Sequence, residues 1–194
     1  MNFQAYRITA GSLAPRDKFS IMTYEQAEFL LQQVYLPQIH NETVTTRRVL
    51  EAASTGNANY KPDPNSKTAL ELAWHLAASE PFFLNGVASG AYGPGGPMPE
   101  SIKTGADVVA WYDEHLPKAI AAVSTLKGEA LTRNIDFFGV FSFPAIAYVG
   151  LMCNHSIHHR GQLSAYLRAM GSKVPKIYGG SHDEPIQVPA RAQQ

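Results

Sequence analysis

The run Pro144–Met170, PAIAYVGLMCNHSIHHRGQLSAYLRAM, constrains the fold most, because it contains no proline after its first residue and is periodic throughout. Placed at about 100° per residue, one side carries Tyr148, Leu151, Met152, His155, His159, Gln162, Leu163 and Tyr166. The other side carries Ile146, Gly150, Cys153, Ile157, Gly161, Ser164 and Leu167. A helix that is apolar on two sides must be covered on two sides, so it needs several helical neighbours. The small residues on the second side suit close helix–helix approach, within a bundle or across a homodimer boundary.

The neighbours are legible upstream. Thr23 with Gln26, Thr68 with Glu71, and Thr104 with Asp107 each place a hydroxyl three residues ahead of a side chain that can return the bond, as a capping box does. They predict helices over about 23–54, 67–88 and 104–126, joined by a last helix over about 143–170. Pro37 lies inside the first, where loss of a donor and a clash with the preceding turn predict a kink or break. Pro81 and Pro117 pose the same question for the second and third. Ser142 is positioned to cap the last helix, with Pro144 in its first turn, and Gly171 is a natural stop.

The stretches TGNANYKPDPNS and SGAYGPGGPMP are loops by their glycine, proline and asparagine content. Residues 127–141 read as a connection, and no segment shows strand alternation. One all-α domain over 1–194 is expected: a four-helix bundle, up-down-up-down in its simplest form. An irregular lead-in over residues 1–20 precedes it, and an extended tail follows from Ser172.

Charge excludes several roles. Sixteen basic residues balance sixteen acidic ones with no run of either sign, so a nucleic-acid partner or an anionic membrane surface is not expected. The N-terminus lacks the basic start and apolar stretch of a signal peptide, and the most apolar run, 137–153, is short for a membrane span, so a cytoplasmic protein is expected. Charged residues make up only 16%, which points to extra buried surface, as in an oligomer. The single cysteine, Cys153, excludes an internal disulfide and a cysteine-based zinc site. It faces away from His155 and reads as a small apolar residue.

His155 and His159 are four apart, so their imidazoles project from one helix face, a spacing suited to two metal ligands. Hydrogen-bonded polar residues near a helix end would look similar. Burying both on an apolar stripe without partners, however, carries a desolvation cost. His158 falls at the edge of the stripe. A third ligand could come from His40, His75, His115 or His182. Periodicity leaves His75 and His115 nearly tied, since each lies on an amphipathic helix among core-facing residues.

The segment NHSIHHRGQLSAYLRAMGSKVPKIYGGSHDE resembles the end of the DinB-like (DinB/YfiT) superfamily of metal-dependent enzymes, and KPDPNSKTALELAWHLAASE resembles its loop and second helix. That superfamily has a four-helix bundle with one histidine ligand on the second helix and two, four apart, on the last. The resemblance thus implies His75, His155 and His159 as ligands of a divalent metal. His158, by its place at the edge of the stripe, is expected at the rim or in support of the ligands; Arg160 and Gln162 belong to the same motif, with a helix-face charge and a supporting hydrogen bond as their plainer roles.

Three neutral imidazoles leave an ion dipositive with open positions, and nitrogen-only ligation suits zinc or nickel first and iron next. The motif reads HSIHH, not HExxH, so no glutamate follows the first ligand as a general base. Glu42 and Glu71 are other acids that could approach, and Asp183 and Glu184 are expected to dock the tail by ion pairs. Relatives include thiol-dependent transferases and isomerases, in which the metal activates a low-molecular-weight thiol, and others described as hydrolases. A metal-dependent enzyme acting on a small molecule is therefore expected. The alternative is a non-catalytic, metal-binding, stress-associated dimeric bundle.

Overall fold

All three capping boxes form in the computed structural model, which describes residues 22–187. Thr23, Thr68 and Thr104 each accept a bond from the backbone N–H three residues on, while Gln26, Glu71 and Asp107 accept from the cap residues in return. The elements are α1 (Tyr24–Phe29), a π-helical segment (Leu30–Tyr35), α2 (Leu36–Ser54), α3 (Ala69–Ser89), α4 (Gly105–Ser124), α5 (Glu129–Thr132), β1 (Asn134–Phe137), β2 (Phe141–Pro144) and α6 (Ala145–Ala169). The long helices α2, α3, α4 and α6 form the expected bundle. The lead-in expected over 1–20 lies outside the described residues, and 172–187 has no regular structure.

Pro37 does not break the first helix. The chain stays helical from Tyr24 to Ser54, and the turn just ahead of Pro37 widens into the π segment. A wider turn shifts the bonding register, so the missing proline donor is absorbed without a chain break. Pro81 and Pro117 likewise sit inside continuous helices.

Serial alternation of helix direction does not hold. The first turns of α3 and α4 lie together, with Ala69, Leu70 and Ala73 lining one pocket with Thr104 and Gly105, and further along both helices Trp74 meets Trp111 at 4.8 Å. These two helices therefore run parallel. By contrast, α6 is antiparallel to α3, with Tyr166 near Lys67 and His155 near Phe83. The directions are up-down-down-up: α1–α2 rises, α3 and α4 descend, and α6 rises. The Gly- and Pro-rich segment 90–104 makes this possible, because it returns the chain in extended form along the bundle; Gly90, at φ +81°, turns it out of α3. Around the bundle the order is α2, α4, α3, α6, which sets α4 diagonally across from α6.

The connection expected over 127–141 contains a two-stranded antiparallel hairpin. Ile135 pairs with Phe143 and Phe137 with Phe141, across a turn in which Phe138 and Gly139 both have positive φ. Four-residue strands are too short for alternation to stand out in the sequence. Ile135 and Phe137 point inward, and Phe83, Tyr92 and Tyr148 pack around Phe137. The hairpin also moves the start of α6: Ser142 belongs to β2, and Pro144 takes the cap position without a side-chain bond.

The small-residue side of α6 is used inside the chain at Gly150. A Cβ there would lie 2.7 Å from the Tyr35 hydroxyl oxygen, so glycine lets α6 approach the π segment. Among the described residues no helix is long and apolar enough to cross a membrane.

Candidate metal centre

His75 lies two turns into α3, with the capped start at Thr68 setting its position; His155 and His159 lie one turn apart on α6. Because α3 and α6 pack side by side and antiparallel, the three rings meet. Ring centroids are 5.0 Å apart for His75–His155, 4.4 Å for His75–His159 and 4.4 Å for His155–His159. One nitrogen from each residue can be chosen so that all three lie within 4.8 Å of one another. The Nε2 atoms of His75 and His159 are 3.1 Å apart. Two nitrogens on one tetrahedral zinc ion at its usual bond length stand about 3.3 Å apart, so the spacing suits a shared ion.

The remaining atoms fit as well. His159 donates its Nδ1–H to Gln162 Oε1 at 3.0 Å, which leaves the Nε2 lone pair facing inward. The Nδ1 of His155 is buried with no hydrogen-bond partner among the described residues. A neutral imidazole has one N–H and one lone pair, so this nitrogen's bonding capacity is unused among the described residues. Burial, and then the neighbouring His159, pushes the His75 imidazole down to about 4. Burial, then His159, His75 and His158, pushes His155 down to about 3. His159 is also lowered by burial, against the opposing bond from Gln162. All three are therefore neutral at physiological pH, the state in which imidazole binds metal.

The other histidines stay apart. His115 stacks on Trp111 at 4.0 Å, and its Nδ1 donates to the Trp111 carbonyl at 2.8 Å. It sits on α4, diagonal to α6, which separates it from the His155–His159 pair. His40 and His182 are exposed. His158 is exposed beside the cluster, its ring 4.8 Å from that of His159.

Arg160 is not a helix-face charge. Its side chain is 1% exposed and pairs with Glu42 at 2.5 Å, with Thr46 Oγ1 at 3.4 Å and the Tyr178 hydroxyl at 2.5 Å alongside. None of these partners is one of the three histidines. Tyr178 also donates to Glu42 at 2.9 Å, which ties the tail to α2. Asp183 pairs with Arg168 at 2.7 Å and Glu184 with Arg48, so the tail is docked by ion pairs.

Behind the histidines lies a group that periodicity did not single out. Glu80 is 3% exposed and accepts from the Tyr112 hydroxyl at 2.6 Å and from the Ser156 hydroxyl. The signal was present: Glu80 is the only charged residue in LAASEPFFLNGVA, a setting in which an acid must be buried with partners. Glu71 is occupied by its capping bonds to Thr68. Cys153 is buried, and burial pushes its thiol up to about 12, so it is no thiolate at neutral pH.

Comparison with known proteins agrees with this architecture. The Bacillus subtilis protein YjoA is 32% identical over 135 residues, 69% of this chain and 86% of its own length. The B. subtilis protein YrdA is 25% identical over 147 residues, 74% of this chain and 85% of its own. The crystal structure of the DinB-like protein YjoA superposes with a TM-score of 0.61 at 27% identity, covering 74% of this chain and 96% of that one. A DinB-like protein from Bacillus cereus superposes with a TM-score of 0.63 at 24% identity, covering 82% and 100%. The model of the DinB family matches residues 26–189, most of the sequence, and the chain belongs to that family.

Proposed function

We propose that this protein binds one divalent metal ion through His75, His155 and His159 and acts as a metal-dependent enzyme on a small molecule. The observation that carries the reading is the convergence of three half-buried, neutral imidazoles, one with a nitrogen that no described residue satisfies. The donor set favours zinc or nickel, with iron next. An ion bound there supplies Lewis acidity and lowers the pKa of a water or thiol in an open position.

The chain's own part is to hold and to exclude. Gln162 keeps the His159 tautomer, and Phe83 closes the His155 side with its ring 5.5 Å away. Two acids on the His75 helix are occupied: Glu71 caps α3, and Glu80 is buried between Tyr112 and Ser156. With those acids engaged, a substrate that brings its own acidic nucleophile suits the site, which favours a thiol-dependent transfer over hydrolysis by an enzyme-activated water. Low-molecular-weight thiols are the substrate class to try first.

The test is metal analysis of protein purified without a histidine tag, followed by cobalt substitution. One equivalent of metal that is lost in His75→Ala and His159→Ala supports the site; unchanged metal content in both variants removes it. A cobalt spectrum that shifts on adding a thiol supports the transferase reading, and a spectrum no thiol perturbs removes it.

A further inference from the structure

Along α6 two rows of side chains run at four-residue spacing, offset by a single residue. His155 and His159 form one row; Ser156 and Arg160 form the other, turned about 100° into the core. The inner row is polar yet buried, with Ser156 3% and Arg160 1% exposed. Its two members fasten α6 to different helices: Ser156 donates to Glu80 of α3, and Arg160 pairs with Glu42 of α2. Glu80 also accepts from Tyr112 of α4, and Thr46 of α2 lies against the same carboxyl. One carboxyl therefore joins three other helices at the level of the histidines.

The position matters for the triad. His75 and its two partners are on different helices, so their separation depends on how far α3 has slid along or turned against α6. Apolar packing resists sliding weakly, because one apolar contact replaces another at small cost, whereas a buried carboxyl with fixed donors has one satisfied arrangement. Ser156 adjoins His155 in the chain, and Glu80 lies on α3 below His75. Ser79, beside Glu80, donates to the His75 carbonyl at 2.5 Å and stiffens that turn.

We propose that Glu80 is the positioning residue of the histidine triad, its carboxyl clasped by Ser156 and Tyr112 so that α3 is held on α6 with His75 facing His155 and His159. The proposal rests on the metal-centre reading for its consequence, and on the three-helix clasp alone for its geometry. Apolar contacts in its place would stabilise the bundle without fixing the imidazoles.

The test uses the full chain with Ser156→Ala, Glu80→Gln and Ser156→Thr. Val123→Ala, a buried apolar truncation at the far end of α4, serves as a control of comparable stability loss. Imidazole ¹⁵N–¹H correlation spectra of metal-free protein report the ring positions, and cobalt competition against a chromophoric chelator reports affinity. In Ser156→Ala and Glu80→Gln the His75 signals shift, although neither change is on a residue beside His75, and cobalt affinity falls roughly 10-fold or more. Ser156→Thr restores both, and Val123→Ala changes neither. Unchanged His75 signals in both Ser156→Ala and Glu80→Gln overturn the proposal. If the wild-type protein binds no cobalt, the metal reading falls, and the imidazole spectra still decide whether Glu80 positions the triad.

Discussion

Replacing Glu42 by glutamine tests the buried side of α6 most directly. Arg160 is 1% exposed, and among the described residues Glu42 is its only carboxylate within ion-pair distance, at 2.5 Å. The substitution keeps the shape of the side chain and removes the charge, so the guanidinium stays buried without its counter-ion. Breaking a buried pair in this way costs about 3–5 kcal/mol. The lower end applies, since Glu42 is 18% exposed and water can reach its side of the pair, and Tyr178 and Thr46 remain as neutral partners.

The expected loss is therefore about 3 kcal/mol. At about 2–4 °C per kcal/mol for a domain of this size, the melting midpoint drops by roughly 6–12 °C. Urea titration followed by circular dichroism measures the loss, with an unchanged slope showing that the unfolded reference is unaltered. A loss below about 1 kcal/mol, the range of exposed pairs, refutes the reasoning, because it would mean that Arg160 is solvated.

His75→Ala and His159→Ala are each expected to lower cobalt affinity at least 100-fold by removing one of three ligands, read by chelator competition. Gln162→Ala frees the Nδ1–H of His159, and a roughly 10-fold loss of affinity in the same assay is expected. Acid should destabilise the metal-free protein through the triad. The folded His75 and His155 lie at about 4 and about 3, below the unfolded imidazole value, so the unfolded chain takes up protons first. Stability is then fully present above about pH 6.5 and lost as pH falls toward the folded values. Urea midpoints at pH 7 and 5 should diverge in the wild type and converge in the His75→Ala, His155→Ala double variant; equal divergence in both assigns the effect to other groups.

Local signals carried most of the helix boundaries. Each threonine cap is separated by three residues from the side chain that completes it, so Thr23, Thr68 and Thr104 marked their helices without tertiary information. The same holds for His155 and His159, since four-residue spacing on one helix puts two rings together whatever the rest of the chain does. Prolines misled for an equally local reason. A π turn before Pro37 changes the bonding register by one residue, and nothing in the composition of LLQQVY announces it.

What lay beyond the sequence depends on which helices touch. His75 and His115 each sit on an amphipathic helix among apolar neighbours, and only the placement of α3 beside α6, with α4 across the diagonal, separates them; family resemblance pointed the same way. The parallel run of α3 and α4 follows from the extended return of 90–104, whose glycines and prolines predict a loop but not its path. Arg160 looked like a surface charge because arginine usually is one, and its burial required Glu42, 118 residues away along the chain, to meet it. The sequence by itself determined the four long helices, the capped starts of three of them and the histidine pair, because those depend on contacts within a few residues. The third histidine's partners, the polar row behind them and the order of helices around the core were decided by tertiary packing, because each depends on side chains brought together from different helices.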